Sequence, residues 1–375
     1  MGLFNFFKKK QEPLSKDISA EKNIHRANPQ PLPDTDEIPS LKSRLNNAFP
    51  SENGLYPHEI VMLDYASSYK TTNNKFQNFW KWDYSVLDPQ SVLDSLYARG
   101  FICISDVSTT LRKLVVADLK TMLSQKNAKV TGKKDELIKR ILETYSTEEL
   151  EEIVPEKYYA LTDIGEKELN DNKYISYLHR HHYMSVWEMN ILLHTDNPLN
   201  LQYRDIIWRE LNKQSGIHFQ NRDFGLYRNT RLAMHDFLVE ENKFKTALHL
   251  LCEVISFDLS GLGNGEKPLP NTDSFRKLKY ESKMVNLFTT DDEKEVTLPP
   301  AIIAYFEKLY NKMGMTADDF IQYTYEQFAE IQIHDRVFTE SECANIILSE
   351  IDLEKRKIKN SRKVAEQRVK QKLGL

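Results

Sequence analysis

Nine cationic side chains crowd one stretch of this chain. Arg112, Lys113, Lys120, Lys126, Lys129, Lys133, Lys134, Lys139 and Arg140 all fall between Leu111 and Tyr145. Four carboxylates accompany them, Asp118, Asp135, Glu136 and Glu143, so the stretch carries a net +5 while the whole chain carries −4. Ammonium and guanidinium groups at this density bind the oxygens of a polyanion, and nucleic acid is the commonest one. Charge alone also fits an ordinary helical hairpin with a solvated lysine-rich face.

The elements beneath these cations are legible from apolar spacing. Leu114, Val115, Leu119, Met122 and Leu123 fall at helical intervals, and Leu137, Ile138, Ile141 and Leu142 do so again. Gly132, after Thr131, marks the turn into the second helix. The spacing therefore predicts two short amphipathic helices around a turn, with the second half rich in lysine.

This segment resembles the SAP domain, a helix–turn–helix DNA-binding module. Leu114, Val116, Leu119, Lys120 and Leu123 carry the resemblance in the first half. Gly132, Lys134, Leu137, Ile138, Arg140 and Ile141 carry it in the second. Asn127 stands where the family usually has glycine, and asparagine tolerates a left-handed backbone. Ala128 replaces a usual leucine, which leaves a smaller core. The resemblance covers about residues 111–145 and implies binding to duplex DNA, mostly through backbone phosphates. Lys133, Lys134, Lys139 and Arg140 are the expected contacts, with Lys120 and Lys126 secondary and Gly132 at the turn. The N-terminus of the second helix adds backbone N–H groups for a phosphate. The resemblance and the unpaired cysteines together imply a cytoplasmic protein of bacterial or phage kind.

Other chemistry finds little support. His179-Arg180-His181-His182 is the densest histidine cluster, but Arg180 repels a cation, so these read as surface or interface histidines rather than metal ligands. Ser260-Gly261-Leu262-Gly263-Asn264-Gly265 lacks both a preceding strand and the Lys-Ser/Thr ending of a phosphate loop, and reads as helix cap and linker. No nucleophile signature is present. No cofactor and no metal are expected. Cys103, Cys252 and Cys343 are odd in number and widely spaced, as in a reducing compartment. No apolar run is long enough to span a membrane. Phe4, Phe6 and Phe7 beside Lys8, Lys9 and Lys10 read as a frayed terminus able to touch an anionic surface.

Organisation follows from composition and punctuation. Seven of the 14 prolines lie in the first 57 residues, so residues 1–55 read as an extended arm. Asp88-Pro89 opens a helix ending at Gly100, and Phe101–Ile104 and Tyr158–Thr162 read as strands. Leu161, Thr162, Gly165 and Leu169 follow at spacings that resemble a winged-helix domain over residues 56–173, with the SAP-like segment inserted in its wing. The helix from Asp88 to Arg99 ends in Arg99 and carries no other basic residue, which makes it a poor recognition helix. Residues 174–260 read as a helical domain whose helices Leu226–Val239 and Phe244–Leu259 form a pair, residues 261–298 as a linker, and 299–353 as helical again. Residues 354–375 form a basic tail with too few apolar residues to need a core.

The chain thus reads as mainly α: a SAP-like helical hairpin inserted in a winged-helix-like domain, followed by an all-helical C-terminal region. Its expected function is non-enzymatic binding of duplex DNA with weak sequence preference. The C-terminal helices would serve a protein partner or self-association. Two rivals stand beside this. One is an interaction scaffold whose basic face is neutralised from within, with Glu148, Glu149, Glu151 and Glu152 close enough to do it. The other is a nuclease or other DNA-processing component.

Overall fold

Helical periodicity in the sequence becomes helix almost throughout the chain. The computed structural model describes residues 38–72, 74–195, 197, 199–260, 298–333, 338–351, 363–369 and 371. Residues 1–37 of the expected arm, the glycine-rich segment after Ser260 and most of the basic tail lie outside the described residues. The rest of that arm, residues 38–55, is not extended: Leu41–Asn47 is helical, Phe49 N–H donates to Asn190 Oδ1 and Leu55 is buried, which corrects the reading from proline content. The chain divides into two compact units, one within Gln30–Tyr203 and one within Arg204–Leu375. The division falls inside the 174–260 stretch that reads as a single domain in sequence.

The first unit opens with α1 (Leu41–Asn47), α2 (Pro57–Ala66), α3 (Phe79–Trp82) and α4 (Pro89–Ala98). Helix α4 starts as its sequence demands: the Asp88 carboxylate accepts from Ser91 N–H and Pro89 takes the first turn. It stops at Gly100, whose φ of +79° is open to glycine. Strand β1 (Ile102–Ile104) follows, and β2 (Tyr159–Leu161) pairs with it antiparallel, Cys103 opposite Ala160. Between the strands run α5 (Val107–Lys113), α6 (Val116–Gln125), α7 (Lys134–Thr144) and α8 (Thr147–Ile153). Ser105 N–H donates to Tyr158 C=O at 2.8 Å, so this helical insert leaves and rejoins the ladder at one end. After β2 come α9 (Asp163–Asp171), α10 (Lys173–His181) and α11 (Val186–Thr195).

The Leu-Thr-x-x-Gly spacing has a physical basis here. Thr162 caps α9 by accepting from Gly165 N–H, and its hydroxyl donates to Gly100 C=O at 2.7 Å. A Cβ on Gly165 would lie 2.1 Å from the Phe101 carbonyl oxygen, so only glycine lets α9 pack this close to β1.

An aromatic knot fills the unit. Trp80 and Tyr84 are buried, and Trp80 Nε1–H donates to Tyr69 Oη at 2.8 Å. Arg180 and His182 are exposed, whereas His179 belongs to this knot and is buried, which corrects the surface reading for that one member of the cluster. One ring nitrogen bonds Tyr84 Oη at 2.9 Å and the other Tyr65 Oη at 3.0 Å. The reason is helical: Tyr174, Ile175 and Leu178 are buried on α10, and His179 shares their face.

The second unit begins with α12 (Tyr203–Gln220) and is built around α13 (Phe224–Glu240) and α14 (Phe244–Ser260), which pack along each other. Asn242, at φ +58°, turns the chain between them. Arg228 grips Asp258 through two hydrogen bonds of 2.8 and 2.7 Å, and Arg231 pairs with Glu253. Helices α15 (Pro300–Met313), α16 (Ala317–Glu330) and α17 (Glu340–Glu350) pack on α14. Residues 363–369 form a further helical turn. Ala365 and Val369 are buried, and Arg368 pairs with Glu342 at 2.5 Å. This part of the tail therefore does have a core, contrary to the reading from composition, because two small apolar residues four apart suffice for one face.

Candidate nucleic-acid interface

The hairpin is not an isolated pair of helices. Leu111 from α5, Leu119, Met122 and Leu123 from α6, Leu137, Ile138 and Ile141 from α7, then Tyr145, Leu150 and Val154 form one buried cluster. Helices α5 and α8, which pack against each other, thus complete the hairpin's core. Tyr145 Oη–H donates to Met122 C=O at 2.6 Å, tying the end of α7 to α6. The first helix begins later than its apolar spacing suggests. Leu114 is only partly buried against this core and Val115 is 61% exposed, because both lie in the extended link before α6 rather than on it.

The connection between α6 and α7 is shaped by two residues with positive φ. Asn127 adopts φ +53°, the left-handed conformation expected of it, and Gly132 adopts φ +136°. Ala128 packs against the core as a partly buried residue. A Cβ on Gly132 would meet Glu136 Oε2 at 2.5 Å. Gly132 therefore serves the turn and the close approach of that carboxylate.

The expected contact residues fall into two groups. Lys120 on α6, Lys133 just before α7 and Lys139 on α7 are exposed, and Lys134 at the start of α7 is half-buried. Lys139 meets Glu143 at 3.9 Å, an exposed pair that holds it weakly. Lys120, Lys133 and Lys134 make no ion pair with any described carboxylate within 4.0 Å, and neither does exposed Lys129, which the sequence reading counted but did not select. The signal for Lys129 was its place in the turn, between Asn127 and Gly132, where no helix packing can bury it.

The other two expected contacts are engaged within the fold. Arg140 Nη1–H donates to Lys129 C=O at 2.5 Å and to Thr131 C=O at 3.2 Å, so the guanidinium staples the turn to α7. Lys126 Nζ lies 2.5 Å from Glu149 Oε1 and 4.8 Å from the centre of the Tyr145 ring. Glu149 is fixed in turn. Its second oxygen accepts from Ser146 N–H at 3.0 Å while Ser146 Oγ accepts from Glu149 N–H at 3.2 Å, a capping box for α8. The Lys126 ammonium, then the Ser146 N–H, hold the Glu149 carboxyl below its ordinary range.

The N-terminus of α7 is less open to a phosphate than its position suggests. Asp135 and Glu136 lie in its first turn, and Glu136 Oε2 accepts from Lys133 N–H at 3.3 Å. The positive end of that helix already faces two carboxylates of its own. The useful cations are therefore the lysine side chains around it.

Helix α4, which a winged-helix reading would present to DNA, offers no comparable surface. Helix α4 contains no lysine or arginine, and Arg99 beyond its end is committed. Its guanidinium pairs with Glu59 at 2.5 Å, donates to Gly54 C=O and lies over the Phe101 ring.

Among the described residues, no helix is long and apolar enough to cross a membrane. No curated protein matches the chain. Residues 110–146 match the family model of the SAP domain, and that match points to a nucleic-acid partner, in general terms DNA.

Proposed function

We propose that this protein binds duplex DNA through the α6–α7 hairpin, mainly by phosphate contacts and with little preference for sequence. One observation carries the reading. The segment that matches the SAP domain folds as a hairpin of net charge +5, and its Lys120, Lys129, Lys133 and Lys134 have no described carboxylate within 4.0 Å. Lys133, Lys134 and Lys139 are the principal contacts and Lys120 a secondary one, to which Lys129 is now added. Arg140 acts as a positioning residue and Gly132 permits the turn. Flexible ammonium groups aimed at phosphates position a protein on the duplex and carry no base code.

The scaffold around the insert reads as winged-helix-like, with α4 serving structure or protein contact because it has no free cation to offer. The second unit, whose Arg228 and Arg231 are paired internally, reads as a site for a protein partner or self-association. An interaction scaffold without DNA binding is the second reading, and the Lys126–Glu149 pair is the observation in its favour.

The test is fluorescence anisotropy of a labelled 20-base-pair duplex with the full-length protein, beside the Lys133→Glu/Lys134→Glu/Lys139→Glu variant, over a salt series. Four to six phosphate contacts should lose roughly 10²–10³ in affinity between 50 and 200 mM salt. Binding should collapse in the variant while its circular dichroism stays unchanged. Equal binding by both proteins would remove the hairpin from the interface. No binding by the native protein at 50 mM salt would favour the scaffold.

A further inference from the structure

We propose that the Lys126–Glu149 ion pair is an intramolecular latch that withholds Lys126 from DNA and makes α8 the flank the duplex avoids. This inference rests on the DNA-binding reading above and assigns that surface an orientation.

Three observations carry it. First, both partners are held in place before any ligand arrives. Lys126 sits between the Tyr145 ring and Glu149, and Glu149 is fixed by the Ser146 capping box. An ordinary surface pair is weak because two free side chains must be ordered to form it; here much of that ordering is already done by the fold. Second, α8 cannot swing away freely. Leu150 is 2% exposed and Val154 is buried in the same core as α6 and α7. Third, α8 presents Glu148, Glu149, Glu151 and Glu152 in seven residues, and Glu151 pairs with Lys157 at 3.0 Å. Glu148 and Glu152 are exposed. A phosphate backbone approaching from this side meets like charge, whereas Lys120, Lys129, Lys133 and Lys134 stand without partners within 4.0 Å among the described carboxylates.

The latch makes a quantitative demand. Releasing Lys126 adds one phosphate contact, so the slope of log K against log salt should steepen by about 0.9. Glu149→Gln is the right variant, because glutamine at the third helical position keeps the capping box while removing the charge. Glu152→Gln removes an equal charge from the same helix without touching Lys126.

The experiment is the full-length anisotropy titration with Glu149→Gln, Glu152→Gln, Lys126→Gln and the Lys126→Gln/Glu149→Gln double variant at several salt concentrations. The expected result is a gain of about three- to tenfold at 50 mM salt for Glu149→Gln, with the steeper slope of one added contact. In the Lys126→Gln background that gain should vanish, and Glu152→Gln should leave the slope unchanged. No gain from Glu149→Gln, a gain that Glu152→Gln equals, or a gain that persists in the Lys126→Gln background would overturn the latch while leaving DNA binding intact. Failure of the native protein to bind DNA at all would overturn both.

Discussion

A cation in a basic segment can touch a ligand or hold the segment in shape, and Arg140 shows how the two differ. Its guanidinium bridges the carbonyls of Lys129 and Thr131, so its charge is spent on backbone oxygens. Arg140→Lys preserves charge but cannot reproduce a rigid fork. If Arg140 positions the turn, this variant should lose about 1 kcal/mol of stability in a urea titration and bind duplex DNA more weakly at constant charge. Full retention of affinity would return Arg140 to the contact set. Two buried histidines set a different residue-scale property. Desolvation lowers His179 to a pKa of about 4, with the neighbouring His182 and Arg180 adding to the effect against Asp64. Desolvation, then Arg99, lowers His58 to about 4 as well. Unfolded histidine titrates near 6.5. Above that pH neither state is protonated and the stabilisation is complete. Between 6.5 and 4 the unfolded chain binds protons that the folded unit refuses, so stability falls with pH by about 1.4 kcal/mol per unit per histidine, and the loss levels off below 4. Urea midpoints in a Trp208→Phe background, where only Trp80, Trp82 and Trp187 fluoresce, should fall between pH 7 and 5, and less steeply in His179→Gln. A flat midpoint over that range would exclude the effect.

At the scale of elements, what is local in sequence was legible and what depends on packing partners was not. Helices α6 and α7, the cap at Asp88 and the left-handed turn at Asn127 are written in neighbouring residues, so their presence follows from spacing, although α6 starts later than its apolar pattern suggests. The share of the core supplied by α8 is not written that way. Glu-rich and short, α8 reads as an acidic run able to neutralise the basic face, yet Leu150 also completes the hairpin's interior. The same blindness hid the burial of His179, although Tyr174, Ile175 and Leu178 at helical spacing put it on an apolar face. It also hid the commitments of Lys126 and Arg140, because the choice of partner is made by turn geometry. Leu150 lies beyond the residues that match the SAP domain, which gives a test of the larger unit. Leu150→Ala should destabilise the insert by about 2–4 kcal/mol, the usual cost of truncating a fully buried leucine. Hydrogen exchange should then report the loss in α6 and α7. Unchanged protection there would mean that the hairpin stands without α8.

At the scale of the whole molecule the basic hairpin works against its own chain. The protein carries −4 overall while residues 111–145 carry +5, so the remainder is net acidic even with its basic tail. A polycation is drawn to DNA from a distance, and its association rate falls steeply with salt. Here the attraction of the hairpin and the repulsion of the remainder oppose each other, and both are largely screened beyond a Debye length of about 10 Å at 0.1 M. Only at contact do the lysines displace counterions from phosphate. Association should therefore be ordinary in rate, about 10⁵–10⁷ M⁻¹s⁻¹, and only modestly sensitive to salt. Stopped-flow anisotropy between 50 and 200 mM salt should show the association rate changing less than tenfold, while the dissociation rate rises by most of the roughly 10²–10³ loss in affinity. An association rate that carries most of the salt dependence would mean that the hairpin's field reaches solution unopposed, and that the acidic remainder lies too far from the approaching duplex to matter.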